Sequence, residues 1–378
     1  MRVGINLAVL HSRRTGVGHY TASLVSALLG CAPEVDWVLL GSSRRLEREF
    51  KGSKVRHVLS PALRGPARIL WEHTSLVRQA MAARLDVLHC PDFSRPLLVP
   101  CPVVSTIHDL SYWQPGQWYS PLRRSYKRCL TRWSLRRSAA LVAVSSFTRA
   151  EILRRFTIAP ECVQVIHCGT DFSTVPSMAQ QPPYLLCVGT METRKNLAVL
   201  LRAFEYLRAS TAPTLELRLV GQPGYGWHEI AALIERSPAR EAIVVDSYVE
   251  PSVLARLYAG ATLLVHPSHY EGFGLPVLEA MAAGLPVVCA KAASLPEIAG
   301  SAAVYFDPDS VSELTLALAR LLREPDLRSH LAAQGRQRAC LFTWEACAHA
   351  HLALYRHVYE LQRHRMSRSR YALPLGSV

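Results

Sequence analysis

The sequence predicts an α/β protein with two doubly wound domains that face each other across a cleft. Apolar runs typical of buried strands alternate with amphipathic helical segments, and this alternation favours parallel sheets flanked by helices. A segment with three prolines interrupts the alternation near the middle of the chain, and the pattern then restarts. The 378 residues, 49% of them apolar, suffice for two domains with large cores.

The predicted first domain covers residues 1–175, and a linker at 176–183 joins it to a second domain at 184–355. Residues 356–378 are predicted to form the end of the last helix and a basic tail. This helix is expected to cross back to the first domain. Two such domains imply a cleft at the carboxyl ends of their strands, where ligands usually bind.

Strands and helices are expected to alternate along both halves of the chain. In the first half, strands are predicted at 3–9, 37–40, 55–59, 87–89, 103–108, 141–145 and 163–167. Helices are predicted there at 17–29, 67–84, 121–137 and 147–156. In the second half, strands are predicted at 184–188, 215–220, 243–249, 261–265, 286–290 and 303–306. Helices are predicted there at 197–207, 254–258, 276–284, 311–322, 327–339 and 344–362.

Cysteine usage and hydropathy exclude several classes of protein. The ten cysteines form neither a Cys-x-x-Cys pair nor a zinc pattern, and several lie in apolar runs. A reducing cytoplasmic location is therefore expected rather than a disulfide framework. The amino-terminal apolar run is short and precedes no small-residue cleavage site, so it is interpreted as a strand. No segment approaches 18 consecutive apolar residues, and no spanning helix is predicted.

The net charge of +14 is concentrated in the first half of the chain. Residues 1–180 hold 24 Lys and Arg against 11 Asp and Glu, whereas residues 181–378 hold 19 against 18. Within the first half, residues 121–137 carry seven basic side chains and no acid, at spacing typical of an amphipathic helix. A solvated helix face would explain this segment alone. Together with the charge asymmetry, it indicates an anionic membrane surface or a lipid-phosphate substrate.

Residues 266–286 contain the strongest signal for a ligand site. An apolar run ends at residue 265, two glycines follow, and Pro276 predicts a helix start because proline suits the first helical position. The amides of Leu275, Val277 and Leu278 would then lack helical partners. Together with the helix dipole, they favour an anion such as a phosphate.

Two carboxylates flank this predicted phosphate site. Glu271 lies in the loop before the helix, and Glu279 lies about one turn inside it. Acids near a helix start can merely complement its dipole. Beside a phosphate, two acids make sense if they accept hydrogen bonds from flanking hydroxyls, such as those of ribose and of a hexose in a sugar nucleotide.

Two basic residues follow a strand of the second half. Arg194 and Lys195 lie in the loop 189–196, at the predicted start of a helix. A guanidinium and an ammonium there could neutralise a diphosphate and the charge that builds on a leaving group. A solvated surface pair is the alternative interpretation.

Two loops of the first half add candidates. Gly16 and Gly18 open a helix after the first strand and would let the backbone approach a ligand, although the third glycine of a dinucleotide fingerprint is missing. His108 and Asp109 end a predicted strand at the cleft. A histidine and an acid in that position are catalytic candidates.

These motifs together resemble the retaining glycosyltransferases of family 4, which have the GT-B fold of two facing Rossmann-like domains. The resemblance extends from the first strand to the last helix. Its main motifs are Glu271-Gly-Phe-Gly-Leu-Pro-Val-Leu-Glu279, Arg194-Lys-Asn196, Thr15-Gly-Val-Gly18 and His108-Asp109. Smaller matches are Leu70-Trp-Glu72, Val144-Ser-Ser-Phe-Thr148 and Tyr305-Phe-Asp-Pro-Asp309.

The resemblance implies a role for each candidate residue. Among the catalytic positions, Glu271 corresponds to the residue that contacts the transferred sugar, and His108 to one beside the reacting centre. Arg194 and Lys195 correspond to residues that hold the diphosphate. Glu279 corresponds to the carboxylate that holds the ribose. The other donor-binding positions are Gly16, Gly18, Gly189, Val249 beside the base, Gly272, Phe273, Gly274 and Leu275.

The resemblance also implies front-face transfer with retention at the anomeric carbon and no metal at the diphosphate. The Asp307-Pro-Asp309 sequence, which mimics a metal-binding motif, is interpreted as a turn before a helix. GDP-mannose is the expected donor and a UDP-hexose the alternative. The expected acceptor is a saccharide or lipid-linked saccharide of surface-polysaccharide assembly, in the cytoplasm or at the inner face of the cytoplasmic membrane.

Two further alternatives stay open at this point. A phosphorylase or an epimerase with the same architecture would also hold a sugar phosphate in the cleft. A non-enzymatic nucleic-acid-binding protein would explain the basic first half. It would not explain two carboxylates beside a phosphate site, and no nucleic acid partner is expected.

Overall fold

The computed structural model describes residues 1–11, 14–60, 65–116, 118–172 and 182–371, with the backbone alone at 66 and 365–371. In this part of the chain the strands form two parallel sheets, one in each half, and helices flank both. The predicted α/β architecture with two doubly wound domains is confirmed.

The first sheet has seven strands in the order β3-β2-β1-β4-β5-β6-β7. They are β1 (Arg2–Asn6), β2 (Asp36–Ser42), β3 (Val55–Leu59), β4 (Val87–Cys90), β5 (Val103–Ile107), β6 (Ala140–Ala143) and β7 (Val163–Val165). The helices of this half are α1 (Gly16–Cys31), α2 (Arg44–Glu49), α3 (Gly65–His73), α4 (Ser75–Ala83), α5 (Pro121–Arg137) and α6 (Ser146–Arg155).

The second sheet has six strands in the order β10-β9-β8-β11-β12-β13, which is the strand order of a dinucleotide-binding fold. They are β8 (Tyr184–Val188), β9 (Glu216–Val220), β10 (Ile243–Asp246), β11 (Leu263–His266), β12 (Val287–Ala290) and β13 (Ala303–Phe306). The helices are α7 (Leu197–Ser210), α8 (Trp227–Glu235), α9 (Pro251–Gly260), α10 (Leu275–Ala283), α11 (Leu295–Ala299), α12 (Val311–Arg323), α13 (Pro325–Ala339) and α14 (Trp344–Tyr371).

The central strands are short and apolar because both of their faces are covered. Every residue of β4, β6, β11 and β12 is buried. Such strands have no face towards solvent, and this is why their sequences are mostly apolar rather than alternating, with His89 in β4 and His266 in β11 as buried exceptions. The polar residues that follow these strands therefore lie at the carboxyl ends of the strands.

Several predicted boundaries were wrong. The helix predicted at 67–84 is two helices, because Thr74 leaves the helical conformation (φ −124°) and its hydroxyl donates to the carbonyl of Leu70. The first strand ends at Asn6, whose side chain accepts a hydrogen bond from the amide of Ala8. Helices α2, α8 and α11 were not predicted. The predicted linker at 176–183 lies outside the described residues as far as 181.

Helix α14 crosses back to the first domain, as predicted. The Tyr355 hydroxyl lies 2.7 Å from Nδ1 of His89 on β4, and Nε2 of His351 lies 3.1 Å from the hydroxyl of Tyr20 on α1. All four side chains are buried, so the last helix is part of the core of the first domain. The tail beyond Tyr371 lies outside the described residues.

None of the helices in the described part of the chain combines the length and apolar composition needed to cross a membrane.

Candidate active site

A cleft of about 950 Å³ lies between the two domains and is lined by residues of both. Its volume suits a ligand larger than a simple sugar. The cleft lies where strands of both sheets end: His108 and Asp109 follow β5, and Gly189 follows β8. This is the position that parallel α/β sheets use for ligands.

The start of α10 forms one wall of the cleft. Gly274 precedes the helix with φ +105°, a conformation that favours glycine, and Leu275 and Pro276 follow as the first helical residues. One detail of the prediction was wrong. The amides of Val277 and Leu278 donate to the carbonyl of Gly274, at 3.0 and 3.2 Å. Of the three amides expected to face an anion, only that of Leu275 is left without a backbone acceptor among the described residues.

Glu271 lies at the centre of a buried ion network. Its carboxylate accepts hydrogen bonds from Nζ of Lys195 at 2.5 Å, from Arg194 at 3.3 Å and from Nε2 of His266 at 2.9 Å. Burial disfavours the charged form, but Lys195 and Arg194 outweigh it and hold the pKa of Glu271 well below its usual range. The network therefore contains a carboxylate and two cations at neutral pH.

The loop between β8 and α7 places both cations. Residues 193–195 form one turn of 3₁₀ helix, and Asn196 reverses the chain with φ +54° while its side chain donates to the carbonyl of Pro308. Arg194 also donates to the carboxylate of Glu192 at 2.6 Å. Gly189 has φ +142°, a conformation that favours glycine, and a Cβ there would lie in ordinary contact with Nζ of Lys195, at 3.5 Å.

Glu279 lies on α10 and lines the same cleft. One carboxylate oxygen accepts a hydrogen bond from the hydroxyl of Tyr258 at 2.8 Å. Burial raises the pKa of Glu279, and His19 across the cleft and the Tyr258 hydrogen bond offset part of this rise. Tyr258 and His19 were not among the predicted site residues. The only sequence signal for Tyr258 was a tyrosine within an apolar helical segment.

His108 and Asp109 line the cleft from the first domain, and the His108 backbone lies against Gly272. Nε2 of His108 lies 2.9 Å from the carbonyl of Pro91, and because a carbonyl only accepts, this nitrogen carries the proton. Burial lowers the pKa of His108, so the ring is neutral at pH 7 and Nδ1 is an acceptor. Burial opposes ionisation of Asp109, but Arg194 and Lys127 outweigh it and lower its pKa.

Most of the remaining predicted donor-binding residues line this cleft. They are Gly16, Gly189, Val249, Gly272, Phe273, Gly274 and Leu275. Val249 lies three residues beyond the end of β10, in a loop, rather than at the end of a strand as predicted. Gly18 differs from the others, because it is buried beneath the loop beside Arg14 and is not part of the cleft lining.

Potential metal ligands lie elsewhere. In the ranges that the structure describes, Cys31, Glu345 and His349 are the one group of three such side chains close enough to share an ion, and none of them lines the cleft. Asp307 and Asp309 lie in an exposed turn before α12, where the Asp309 amide donates to the Asp307 side chain at 2.9 Å. The predicted turn is confirmed.

Two facing Rossmann-like domains with a cleft at the strand ends between them form the GT-B architecture, and the carboxylate and two cations in the cleft suit a glycosyltransferase of this class. Comparison with known families agrees with this class. Residues 172–338 match the family described as "Glycosyl transferases group 1", and residues 14–174 match "Glycosyltransferase Family 4".

Individual relatives place the chain more closely. It is 32% identical over 360 residues to O-antigen chain mannosyltransferase B of Escherichia coli, covering 88% of this chain and 93% of that protein. It is 30% identical over 269 residues to the MMP alpha-(1->4)-mannosyltransferase of Mycolicibacterium hassiacum, covering 67% and 65%. Sucrose-phosphate synthase of Thermosynechococcus elongatus superposes with a TM-score of 0.76 at 21% identity, over 96% and 100% of the two chains. The chain belongs to glycosyltransferase family 4 and is a retaining glycosyltransferase.

Proposed function

We propose that the enzyme transfers mannose from GDP-mannose to a saccharide or lipid-linked saccharide during assembly of a surface polysaccharide. The name of the Escherichia coli relative, an O-antigen chain mannosyltransferase, supports the sugar and the pathway class. A UDP-hexose is the alternative donor. The proposed location is the cytoplasm, at the inner face of the cytoplasmic membrane.

The contact between Lys195 and Glu271 is the observation that carries this proposal. The ammonium would face the diphosphate and the carboxylate would face the sugar, and the two groups are only 2.5 Å apart. The bond between a sugar and its diphosphate therefore fits at their junction. Glu279 is buried one turn into α10, where its carboxylate could accept hydrogen bonds from the hydroxyls of a ribose.

The proposed reaction breaks the bond between the anomeric carbon and the diphosphate oxygen, and the acceptor hydroxyl oxygen forms the new bond on the same face. The departing phosphate oxygen takes the acceptor proton, and the nucleoside diphosphate leaves. Arg194, Lys195 and the amide end of α10 stabilise the negative charge that grows on the leaving group. His108 accepts a hydrogen bond from a sugar hydroxyl through Nδ1. These groups supply the charge stabilisation that a metal ion would otherwise supply.

Thermal stabilisation by a series of sugar nucleotides tests the donor, because a ligand that binds only the folded state raises the melting temperature. GDP-mannose should give the largest shift, and proton NMR of the product should show that the anomeric configuration is retained. Lys195→Ala should abolish the shift, whereas Lys51→Ala, which removes an exposed lysine outside the cleft, should not. If a UDP-hexose raises the melting temperature more than GDP-mannose does, the UDP-hexose would replace GDP-mannose as the assigned donor.

We also propose that α5 docks on an anionic membrane. The structure divides the seven basic residues of this helix into two groups. Arg124 and Arg128 donate to the carbonyl of Tyr112, and Lys127 lies over three aromatic rings, the nearest 4.9 Å away. The exposed group consists of Arg123, Arg132, Arg136 and Arg137, and Leu122 beside it is 83% exposed.

An apolar residue among exposed arginines suits the boundary between headgroups and acyl chains. The quadruple change of Leu122→Ser with Arg123→Gln, Arg132→Gln and Arg136→Gln should reduce flotation with vesicles that contain phosphatidylglycerol. A matched control is Arg240→Gln with Arg320→Gln and Arg323→Gln, which removes three exposed charges from the second domain. Equal flotation of the two variants would contradict the docking proposal.

A further inference from the structure

The loop 271–273, which carries Glu271, is held by hydroxyl groups from both domains. Within the second domain, the Ser294 hydroxyl lies 2.8 and 3.0 Å from the carbonyl oxygens of Phe273 and Glu271. From the first domain, the hydroxyls of Ser145 and Thr148 donate to the carbonyl of Gly272, at 2.6 and 3.1 Å. The two lone pairs of that carbonyl are both used. All of these groups are buried, so the loop is fixed from two sides.

A second contact crosses the domains beside this loop. Glu297 lies on α11, three residues after Ser294, and its carboxylate reaches the start of α6 in the first domain. It accepts hydrogen bonds from the amides of Ser146 and Phe147, at 2.7 and 3.0 Å. First-turn amides have no helical acceptor, and a negative charge at this end suits the helix dipole. Nε2 of His167 lies 2.8 Å from the same carboxylate.

The charge state of Glu297 suits this contact. Burial opposes ionisation, but the hydrogen bonds from His167 and from the amides of Ser146 and Phe147 outweigh it and lower the pKa of Glu297 to about 2. The carboxylate is therefore ionised at any pH at which the enzyme would act. Hydrogen bonds to an ionised acceptor are stronger than those between neutral groups.

We propose that Ser145, Thr148 and Glu297 are positioning residues that form an interdomain clasp and fix the Glu271 carboxylate against the transferred sugar. Within the clasp, Ser145 and Thr148 hold the carbonyl of Gly272. Ser294 holds the carbonyls of Glu271 and Phe273, on either side of it. Approach of the two domains and placement of Glu271 are then one event. This inference rests on the role of Glu271 in the proposed function.

The clasp separates donor binding from transfer. Arg194, Lys195, Glu279 and the start of α10 all belong to the second domain, so the donor can bind there before the first domain engages the loop. Without the clasp, a bound donor would meet a loop that is held from one side only. Loss of the clasp should therefore lower kcat and leave donor affinity close to that of the wild type.

The test compares a double variant, Thr148→Val with Glu297→Gln, with a conservative variant, Thr148→Ser. Valine keeps the shape of threonine and removes its hydroxyl, glutamine removes the charge of Glu297, and serine keeps the donating hydroxyl. We expect the double variant to lower kcat about tenfold or more, because it weakens two separate contacts and the loss of one hydrogen bond changes an equilibrium by roughly two- to tenfold. Its donor dissociation constant, measured by calorimetry, should change less than about twofold. Thr148→Ser should retain wild-type kcat.

Small-angle X-ray scattering supplies a readout that does not depend on turnover. Donor should compact the wild type and Thr148→Ser, and it should compact the double variant less. Glu324→Gln, which removes a half-exposed carboxylate paired with Arg320 within the second domain, is the matched control and should behave like the wild type. Circular dichroism checks that every variant is folded.

Two results would overturn the clasp. One is a double variant with wild-type kcat and wild-type compaction. The other is a double variant whose kcat and donor affinity fall by the same factor, which would mean that the donor loop itself had collapsed. A wild type that transfers no hexose from any sugar nucleotide would instead overturn the proposed function, and the scattering comparison with any nucleotide that binds would still decide the clasp.

Discussion

The ammonium of Lys195 and the carboxylate of Glu271 are in direct contact, 2.5 Å apart, at the centre of the cleft. Their side chains are only 12% and 10% exposed, so each charge depends on the other for compensation. In the proposed function, the donor divides this pair, with its phosphates towards Lys195 and its hexose towards Glu271. The pair of Lys195 and Glu271 is therefore balanced in charge before the donor binds.

Removal of either member should stop transfer and have opposite effects on binding of the nucleoside diphosphate. Lys195→Ala removes a positive charge that offsets the negative charge of Glu271. The remaining carboxylate would repel the phosphates, so the nucleoside diphosphate should bind more weakly. Glu271→Gln leaves Arg194 and Lys195 with an unmatched positive charge and should strengthen binding. Turnover should fall by at least about 100-fold in both variants.

Calorimetry with the nucleoside diphosphate, beside a turnover assay, measures both effects. A change of affinity in the same direction in the two variants would contradict the assignment of the cations to phosphate and of the carboxylate to sugar. Lys51→Ala serves again as the control for loss of a lysine outside the cleft.

Glu279 should make donor affinity depend on pH. Its pKa is raised by burial, so as the pH falls the carboxylate takes up a proton at a pH above the ordinary glutamate value. A protonated carboxyl is a weaker acceptor for ribose hydroxyls. Wild-type donor affinity should therefore fall on the acid side, whereas Glu279→Gln should bind more weakly at neutral pH and lose this acid-side dependence. Equal pH dependence of the two dissociation constants would contradict the role in ribose binding.

The sequence sufficed to predict the fold and the loops that line the cleft, because both depend on local spacing. Alternating apolar runs indicate parallel sheets, and the two acids with intervening glycines lie within nine residues, so their neighbourhood does not depend on distant parts of the chain. The same holds for Arg194 and Lys195, which are adjacent.

Contacts between distant segments were not predictable in this way. Periodicity identified α5 as basic but did not show which arginines turn inward, since this depends on the carbonyl of Tyr112 in the preceding loop. Tyr258 meets Glu279 across 21 residues, and Glu297 meets Ser146 across 151. These contacts depend on how the helices and domains pack against each other. The spacing of residues along the sequence does not predict that packing.

Gly272 should be intolerant of any side chain. A Cβ at this position would overlap the carbonyl oxygen of His108, so the backbones of the two domains are in direct contact there. Gly272→Ala should hold the domains apart and lower kcat by at least about tenfold, while the donor still binds the second domain. Gly30→Ala is the matched control. Apart from its chain neighbours and the backbone of its own helix, no residue among those described has an atom within 4 Å of its added Cβ, and within α1 alanine favours the helix over glycine.

For Gly272→Ala, steady-state kinetics measures the loss of kcat, and calorimetry shows whether the donor still binds. Wild-type turnover would show that the domains do not need this close approach.

Glu297 should also make the free energy of unfolding depend on pH. Its pKa is lowered to about 2 in the folded protein, against 4.5 for an ordinary glutamate, so the folded state binds this proton less readily than the unfolded state. The stabilisation is fully present above pH 4.5 and is lost as the pH falls towards 2. Glu297→Gln has no proton to take up at this position. Its free energy of unfolding should therefore be lower than that of the wild type at pH 7, and the difference should shrink on acidification.

Urea unfolding of both proteins between pH 7 and the lowest pH at which the wild type stays folded measures this difference, and other carboxylates cancel because both proteins contain them. Glu324→Gln should show a difference that is small at every pH, since exposed pairs contribute little. A difference between the wild type and Glu297→Gln that stays constant down to acid pH would mean that the carboxylate contributes shape rather than charge. In that case the hydrogen bonds to α6 would be no stronger than those of a neutral amide, and the clasp would lose its charged half.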